Sequence, residues 1–159
     1  MLVVLILCTF FGLSGSDQVW AQTQSAEMST LHFSVAEWAY EVRDQGDYDP
    51  NPTGTFFRGE RGYAYLEIEG FGVGQKDNLF YLVLDVDVAL ETKNGFRLFS
   101  QQDVLELEEW YFEEPTTTWF YIWVDIPWWA PKGTYKTLIT VRDGVTGQSL
   151  EETRDILVN

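Results

Sequence analysis

Cysteine, histidine and positive charge are all scarce in this 159-residue chain. The one cysteine, Cys8, lies in an apolar N-terminal run, so residues 22–159 form no internal disulfide and offer no thiolate nucleophile. The one histidine, His32, leaves no Cys/His zinc set and no His-rich metal centre to assemble. Lys and Arg number 10 against 25 Asp and Glu; with Asp17 assigned to the leader described below, the remainder carries a formal charge of −14. A field of that sign repels phosphate, which argues against nucleic acid and anionic lipid surfaces as partners. Long apolar runs are missing too. The one at residues 1–13 is shorter than the ~20 residues of a membrane-spanning helix. What the chain has is aromatic residues, 16%, within a hydrophobic content of 45%, enough for a packed core and contrary to disorder.

Residues 1–13 are followed by a polar stretch, 14–18, and then by Val19-Trp20-Ala21. That order reads as a secretory leader cleaved after Ala21, although no Lys or Arg precedes the apolar core. The alternative is an uncleaved anchor. Residues 22–29 read as a polar tether, and 30–159 as one domain exported to the periplasm, cell envelope or exterior, with no transmembrane span left after cleavage. Without disulfides, such a domain rests on its hydrophobic core.

From Thr30 onward the dominant period is two. Leu31, Phe33 and Val35 alternate with polar or small residues. Residues 79–90 place Phe80, Leu82, Leu84, Val86, Val88 and Leu90 on one face and Tyr81, Val83, Asp85 and Asp87 on the other. Further strands are expected at 63–69, 95–99, 104–110, 117–126, 135–142 and 149–158, separated by Asn94-Gly95, Asp143-Gly144 and Thr146-Gly147. Only residues 35–43 offer a helical spacing. About eight short strands make an all-β, antiparallel sandwich the expected architecture.

Toward the C-terminus, Ile126-Pro127, Ala130-Pro131 and Gly133-Thr134-Tyr135 precede a clean strand, a Gly-bearing hairpin and a last strand. With Phe57-Arg58-Gly59-Glu60 ahead of an aromatic strand, this resembles the immunoglobulin-like or fibronectin-like β-sandwich domains of uncharacterised exported bacterial proteins. The resemblance spans most of residues 56–158. It implies a fold and an envelope setting and carries over no activity. It also implies that Tyr135, at the start of the penultimate strand, turns its hydroxyl onto an upstream backbone group.

Chemistry-bearing motifs are sparse. His32 falls on the polar side of a strand and no Gly-x-Ser-x-Gly accompanies it, so a surface histidine is expected, not a catalytic base. The glycines at 70, 72 and 74 lead into a strand, not a helix, and no Lys-Ser/Thr pair follows, which excludes a phosphate loop. Asp47, Asp49 and Asn51 alternate like calcium donors, but Pro52 and Arg58 occupy positions where an EF-hand needs Gly and Glu. They remain calcium candidates beside the plainer reading of an Asp/Asn-rich turn, and no other cofactor is implied. Glu106, Glu108, Glu109, Glu113 and Glu114 surround Trp110, a composition shared by glycosidase clefts and by acidic edge strands.

Aromatic placement is the feature a bland reading explains least. In residues 117–126, Phe120, Ile122, Val124 and Ile126 form an aliphatic face, so Trp119, Tyr121, Trp123 and Asp125 should turn outward together. Trp128 and Trp129 sit in a loop bracketed by Pro127 and Pro131, either presenting a surface or capping an open end of the sandwich. Trp119, Tyr121, Trp123, Trp128 and Trp129 are therefore the candidate ligand-binding residues. The expected function is a non-catalytic binding or assembly module facing an envelope protein or glycan. The alternatives are a carbohydrate-active hydrolase using a Glu pair near Trp110, and a structural subunit whose edge strands pair with a neighbour.

Overall fold

Alternation of apolar and polar side chains leaves each segment one face to bury, and the chain resolves this with two facing sheets. A computed structural model describes residues 30–159; the leader and tether expected at 1–21 and 22–29 lie outside the described residues. Ten strands follow in order: β1 (His32–Asp44), β2 (Asp47–Pro50), β3 (Thr55–Phe56), β4 (Arg61–Glu69), β5 (Gly74–Lys76), β6 (Leu79–Thr92), β7 (Arg97–Tyr111), β8 (Thr117–Asp125), β9 (Gly133–Asp143) and β10 (Ser149–Val158).

One sheet has the order β2-β1-β4-β8. The other runs β3-β10-β9-β6, with β7 on the far side of β6 and β5 paired only to Leu79, Phe80 and Tyr81. The seven long strands thus form β1-β4-β8 against β10-β9-β6-β7. This is the immunoglobulin-like arrangement of first, second and fifth strands against third, sixth and seventh, with the fourth carried beside the third. The expected count of about eight rises to ten because β2, β3 and β5 are too short to leave a periodic signature. One pair is not antiparallel: β3 runs parallel to the end of β10.

Residues 35–43 are part of β1, not a helix. Register breaks between Phe33 and Val35 and between Ala39 and Glu41 insert extra residues, which spoils the two-residue period and imitates a longer one. The segments expected at 95–99 and 104–110 join into β7 through another such break. There Asp103 takes φ +51° and donates its N–H to the Asp87 carboxylate, while Arg142 bridges Asp87 and Asp103.

Leu66 and Ile68 of β4, Leu82, Leu84 and Val86 of β6, Phe120 of β8, Ile139 and Val141 of β9 and Ile156 and Val158 of β10 fill the space between the sheets. Each fully buried aliphatic side chain contributes about 1.5–3 kcal/mol. Trp38 closes one flank, edge-on to Phe56 at 5.9 Å, with its indole N–H on the Asp155 carbonyl. Tyr135 donates to the Pro131 carbonyl at 2.7 Å, the corner bond expected for that position.

Candidate functional site

In β4 the inward positions are Gly62, Ala64, Leu66 and Ile68, which leaves Arg61, Tyr63, Tyr65, Glu67 and Glu69 on the outer face. In β8 Thr118 and Phe120 are buried, and Trp119, Tyr121, Trp123 and Asp125 face outward as their spacing requires. The antiparallel register sets Tyr63 opposite Trp123, Tyr65 opposite Tyr121 and Glu67 opposite Trp119. Two strands thereby merge their rings into one field.

The field is a row. Tyr48 stacks on Tyr65 at 4.1 Å, Tyr65 lies 5.8 Å from Trp119, Trp119 lies 6.4 Å from Tyr121, and Tyr121 lies 6.0 Å from both Trp123 and Tyr63. Arg61 completes it, its guanidinium 5.5 Å above the Trp123 ring and forked onto Asp125 at 2.6 and 3.0 Å. That ion pair holds the Asp125 carboxyl below the usual range through the Arg61 hydrogen bond, against a smaller opposing effect of burial.

The two ends of the row differ. At one end the β1–β2 hairpin folds back over the sheet: Gly46 donates its N–H to the Tyr65 hydroxyl at 2.8 Å, and Tyr48 covers the Tyr65 ring, which is fully buried. Tyr65 hydrogen-bonds Glu67, and Tyr48 donates to Glu37 at 2.9 Å. Burial first, and then these carboxylates, push both phenols up to about 12. At the other end Tyr121 and Trp123 are open to solvent, Trp123 by 55%.

Trp128 and Trp129 are the central residues of a turn in which Ala130 N–H donates to the Pro127 carbonyl. They follow β8 directly, at the Trp123 end of the sheet. Both are exposed, so the alternative in which they cap the sandwich does not hold; Ile126 and Ala130 are buried there instead.

Trp110 belongs to the opposite sheet, packed 4.9 Å from Tyr81, and its indole donates to Glu108 at 3.2 Å. The carboxylates near it divide between faces. Glu106 and Glu108 point outward, whereas Glu109, opposite Leu82, turns to the inner side and bonds the Tyr111 hydroxyl. Neither Glu106 nor Glu108 lines the cavity of about 230 Å³ beside Trp38 or that of about 250 Å³ on the outer face of β6, β7 and β9. His32 is exposed, with Nδ1 on the Thr30 carbonyl and Nε2 3.7 Å from Glu69.

Of the calcium candidates, two meet at an arginine and the third is committed within its own turn. Asp47 and Asp49 both accept from the Arg43 guanidinium, which holds the Asp49 carboxyl low through the hydrogen bond. Asn51 is buried, donating to the Thr55 carbonyl and accepting from the Thr53 hydroxyl. Among the described residues no cluster of three His, Cys, Asp or Glu is placed to hold a metal.

Tyr48, Tyr63 and Tyr65 complete the face without having been singled out by the sequence. The Tyr63-Ala64-Tyr65 alternation puts those two on one side, but only the pairing of β4 with β8 sets them beside Trp119 and Trp123, and only the β1–β2 hairpin brings Tyr48 onto Tyr65.

No family model matches the chain, and neither does any curated protein. Solved structures do match. Part of the alkylpurine DNA glycosylase AlkC of Pseudomonas fluorescens, solved with abasic-site DNA, aligns with a TM-score of 0.50 and 11% identity over 82% of this chain and 31% of that one. The likeness is one of fold. The chain spans about a third of that glycosylase. The C-terminal domain of wzt aligns at TM-score 0.48 and 10% identity over 82% of this chain and 74% of that one. An immunoglobulin-like protein from Pseudomonas aeruginosa aligns at 0.42 and 12%, over 84% and 99%.

Proposed function

We propose that the chain is an exported, non-catalytic binding or assembly module whose aromatic outer face, built by β4 and β8, engages a protein or glycan of the cell envelope. The observation that carries this reading is the open end of the ring row. Packing within the chain covers Tyr65 completely but leaves Tyr121 and Trp123 exposed on a rigid strand. Their rings stand 6.0 Å apart, close to the ~7 Å repeat of alternate strand residues, so a sugar ring or a flat side chain laid over them touches both. Arg61 on Trp123 supplies donors at the rim.

The non-catalytic half of the proposal is supported by the setting of Glu106 and Glu108, which stand on an open strand face with Glu108 already accepting from Trp110. The leader-like residues 1–21 support export. The test is capture of partners from native envelope extract by the exported protein at low and high salt. A partner held at high salt and lost on Trp123→Ala supports the aromatic face; one released by salt and indifferent to Trp123 refutes it.

A further inference from the structure

Three turns meet at one end of the sandwich. The 57–60 and 127–130 turns are joined by Gly59 N–H on the Ile126 carbonyl and Ile126 N–H on the Glu60 carbonyl. The β6–β7 turn reaches the same level, because Thr92 pairs with Tyr135 and the Tyr135 hydroxyl is fixed to Pro131. Each turn carries an exposed aromatic and a cation: Phe57 with Arg58, Phe96 with Lys93, and Trp128 and Trp129 with Lys132. The rings are 56%, 69%, 78% and 65% exposed in that order, and Leu98 and Phe99 add apolar surface beside Phe96.

Charge is sorted along the molecule in the same way. Of the ten Lys and Arg, six lie at this end, Arg61, Arg97 and Lys136 standing just inside the adjoining strands. Arg61 and Arg97 are paired to Asp125 and Glu91, Lys136 stands opposite Asp155, and Glu60 also stands here, so the excess of cations at this end is carried by the turns themselves. Arg58, Lys93 and Lys132 form no ion pair among the described residues. The far end carries Glu67, Glu69, Asp77, Glu113 and Glu114, with Lys76 as a cation and Arg142 just inside β9, the latter paired to Asp87 and Asp103. The acidic β1–β2 hairpin is folded back over Tyr65 and so does not cover the three turns.

We propose that this end docks peripherally on a lipid bilayer, with Trp128, Trp129, Phe96 and Phe57 entering the headgroup boundary and Arg58, Lys93 and Lys132 pairing with lipid phosphates. Exposed Trp rings gain most where one side is apolar and the other wet, and Lys and Arg reach from such a position to phosphate. The net negative charge that argues against anionic lipid is an average over two unlike ends. The surface potential of an anionic leaflet falls off within a Debye length of ~8–10 Å, so the bilayer senses the basic turns and not the distant acidic end. Backbone bonds hold all three turns, and Pro127 and Pro131 bracket one of them, so little ordering opposes insertion.

The experiment is flotation of the exported protein with vesicles of phosphatidylethanolamine and phosphatidylglycerol, and separately of phosphatidylcholine. Wild type should float with both, and more with the anionic mixture. Trp128→Ser with Trp129→Ser should lower the bound fraction at least tenfold on both. Lys93→Glu with Lys132→Glu should lower it several-fold more on the anionic mixture than on phosphatidylcholine. Failure of the wild type to float, or undiminished binding by the Trp variant, as residues 1–13 would produce, overturns the proposal. Trp123→Ala should leave flotation unchanged, which separates this surface from the β4–β8 face.

Discussion

The hydroxyl of Tyr135, near the start of β9, donates to the carbonyl of Pro131 across 2.7 Å and anchors the Trp128-Trp129 turn to the core. The ring itself is buried in the sandwich, so phenylalanine fills the same space and removes only the bond. Tyr135→Phe should cost about 1 kcal/mol, read as a lower denaturant midpoint at unchanged slope. An unchanged midpoint would mean that the corner bond contributes nothing.

Asp143 fixes the opposite end. Its carboxylate is buried and accepts from Gly72 N–H at 2.6 Å, Val145 N–H at 2.8 Å, Thr146 N–H at 3.2 Å and the Thr146 hydroxyl, tying the β9–β10 turn to the glycine-rich loop before β5. Asp143→Ala strands these donors and should cost about 3 kcal/mol or more. Asp143→Asn retains part of the acceptor set and should cost less. Chemical denaturation of the two variants checks the order.

Wherever burial was local to one strand, it was legible from residue spacing. The inward aliphatic face of β8 determined that Trp119, Tyr121 and Trp123 share a side, and Leu82, Leu84 and Val86 of β6 followed from the same rule. What escaped depends on distant partners. The kink in β7 at Asp103 is stabilised by Asp87 and by Arg142, 39 residues further on. The cover over Tyr65 depends on bulges in β1 that throw the hairpin back across the sheet. The exposure of Trp128 and Trp129 depends on Ile126 and Ala130 plugging the end of the core in their place. The sorting of cations to one end is a product of topology, which brings three turns far apart in sequence to one level.

Tyrosine ionisation should be split by burial. Tyr48, Tyr65 and Tyr111 are pushed up to about 12, by loss of water first and then by Glu37, Glu67 and Glu109 respectively. In the unfolded chain they ionise near 10. Folding is therefore fully supported by these groups below pH ~10, and that support is lost as pH rises through 12. A spectrophotometric titration should show a tyrosine class that ionises only above pH ~11, and stability should fall from pH ~10 upward. A single transition near 10 with the protein still folded would contradict the described packing.

Export has its own check. Intact-mass analysis of secreted material should give a chain beginning at Gln22. Retention of residues 1–21 would place the protein in the anchored class instead.

Trp119 and Trp123 share a strand face but not a role, and this separates packing from recognition. Trp119 is partly buried between Tyr65 and Tyr121, so Trp119→Ala leaves a gap in the row and should cost about 1–2 kcal/mol. Trp123 meets Tyr121 on one side and Arg61 above, with half its surface in water, so Trp123→Ala should cost under ~1 kcal/mol. If the open end of the row binds an envelope glycan or protein, retention on that material should fall several-fold in Trp123→Ala although its unfolding midpoint hardly moves. Trp119→Phe keeps the stack and should retain both stability and binding. Affinity electrophoresis through immobilised envelope polysaccharide, with denaturant melts of the same preparations, measures the two quantities separately. Retention that tracks stability across the three variants, and not the identity of residue 123, would show that the rings are there to hold the sheet.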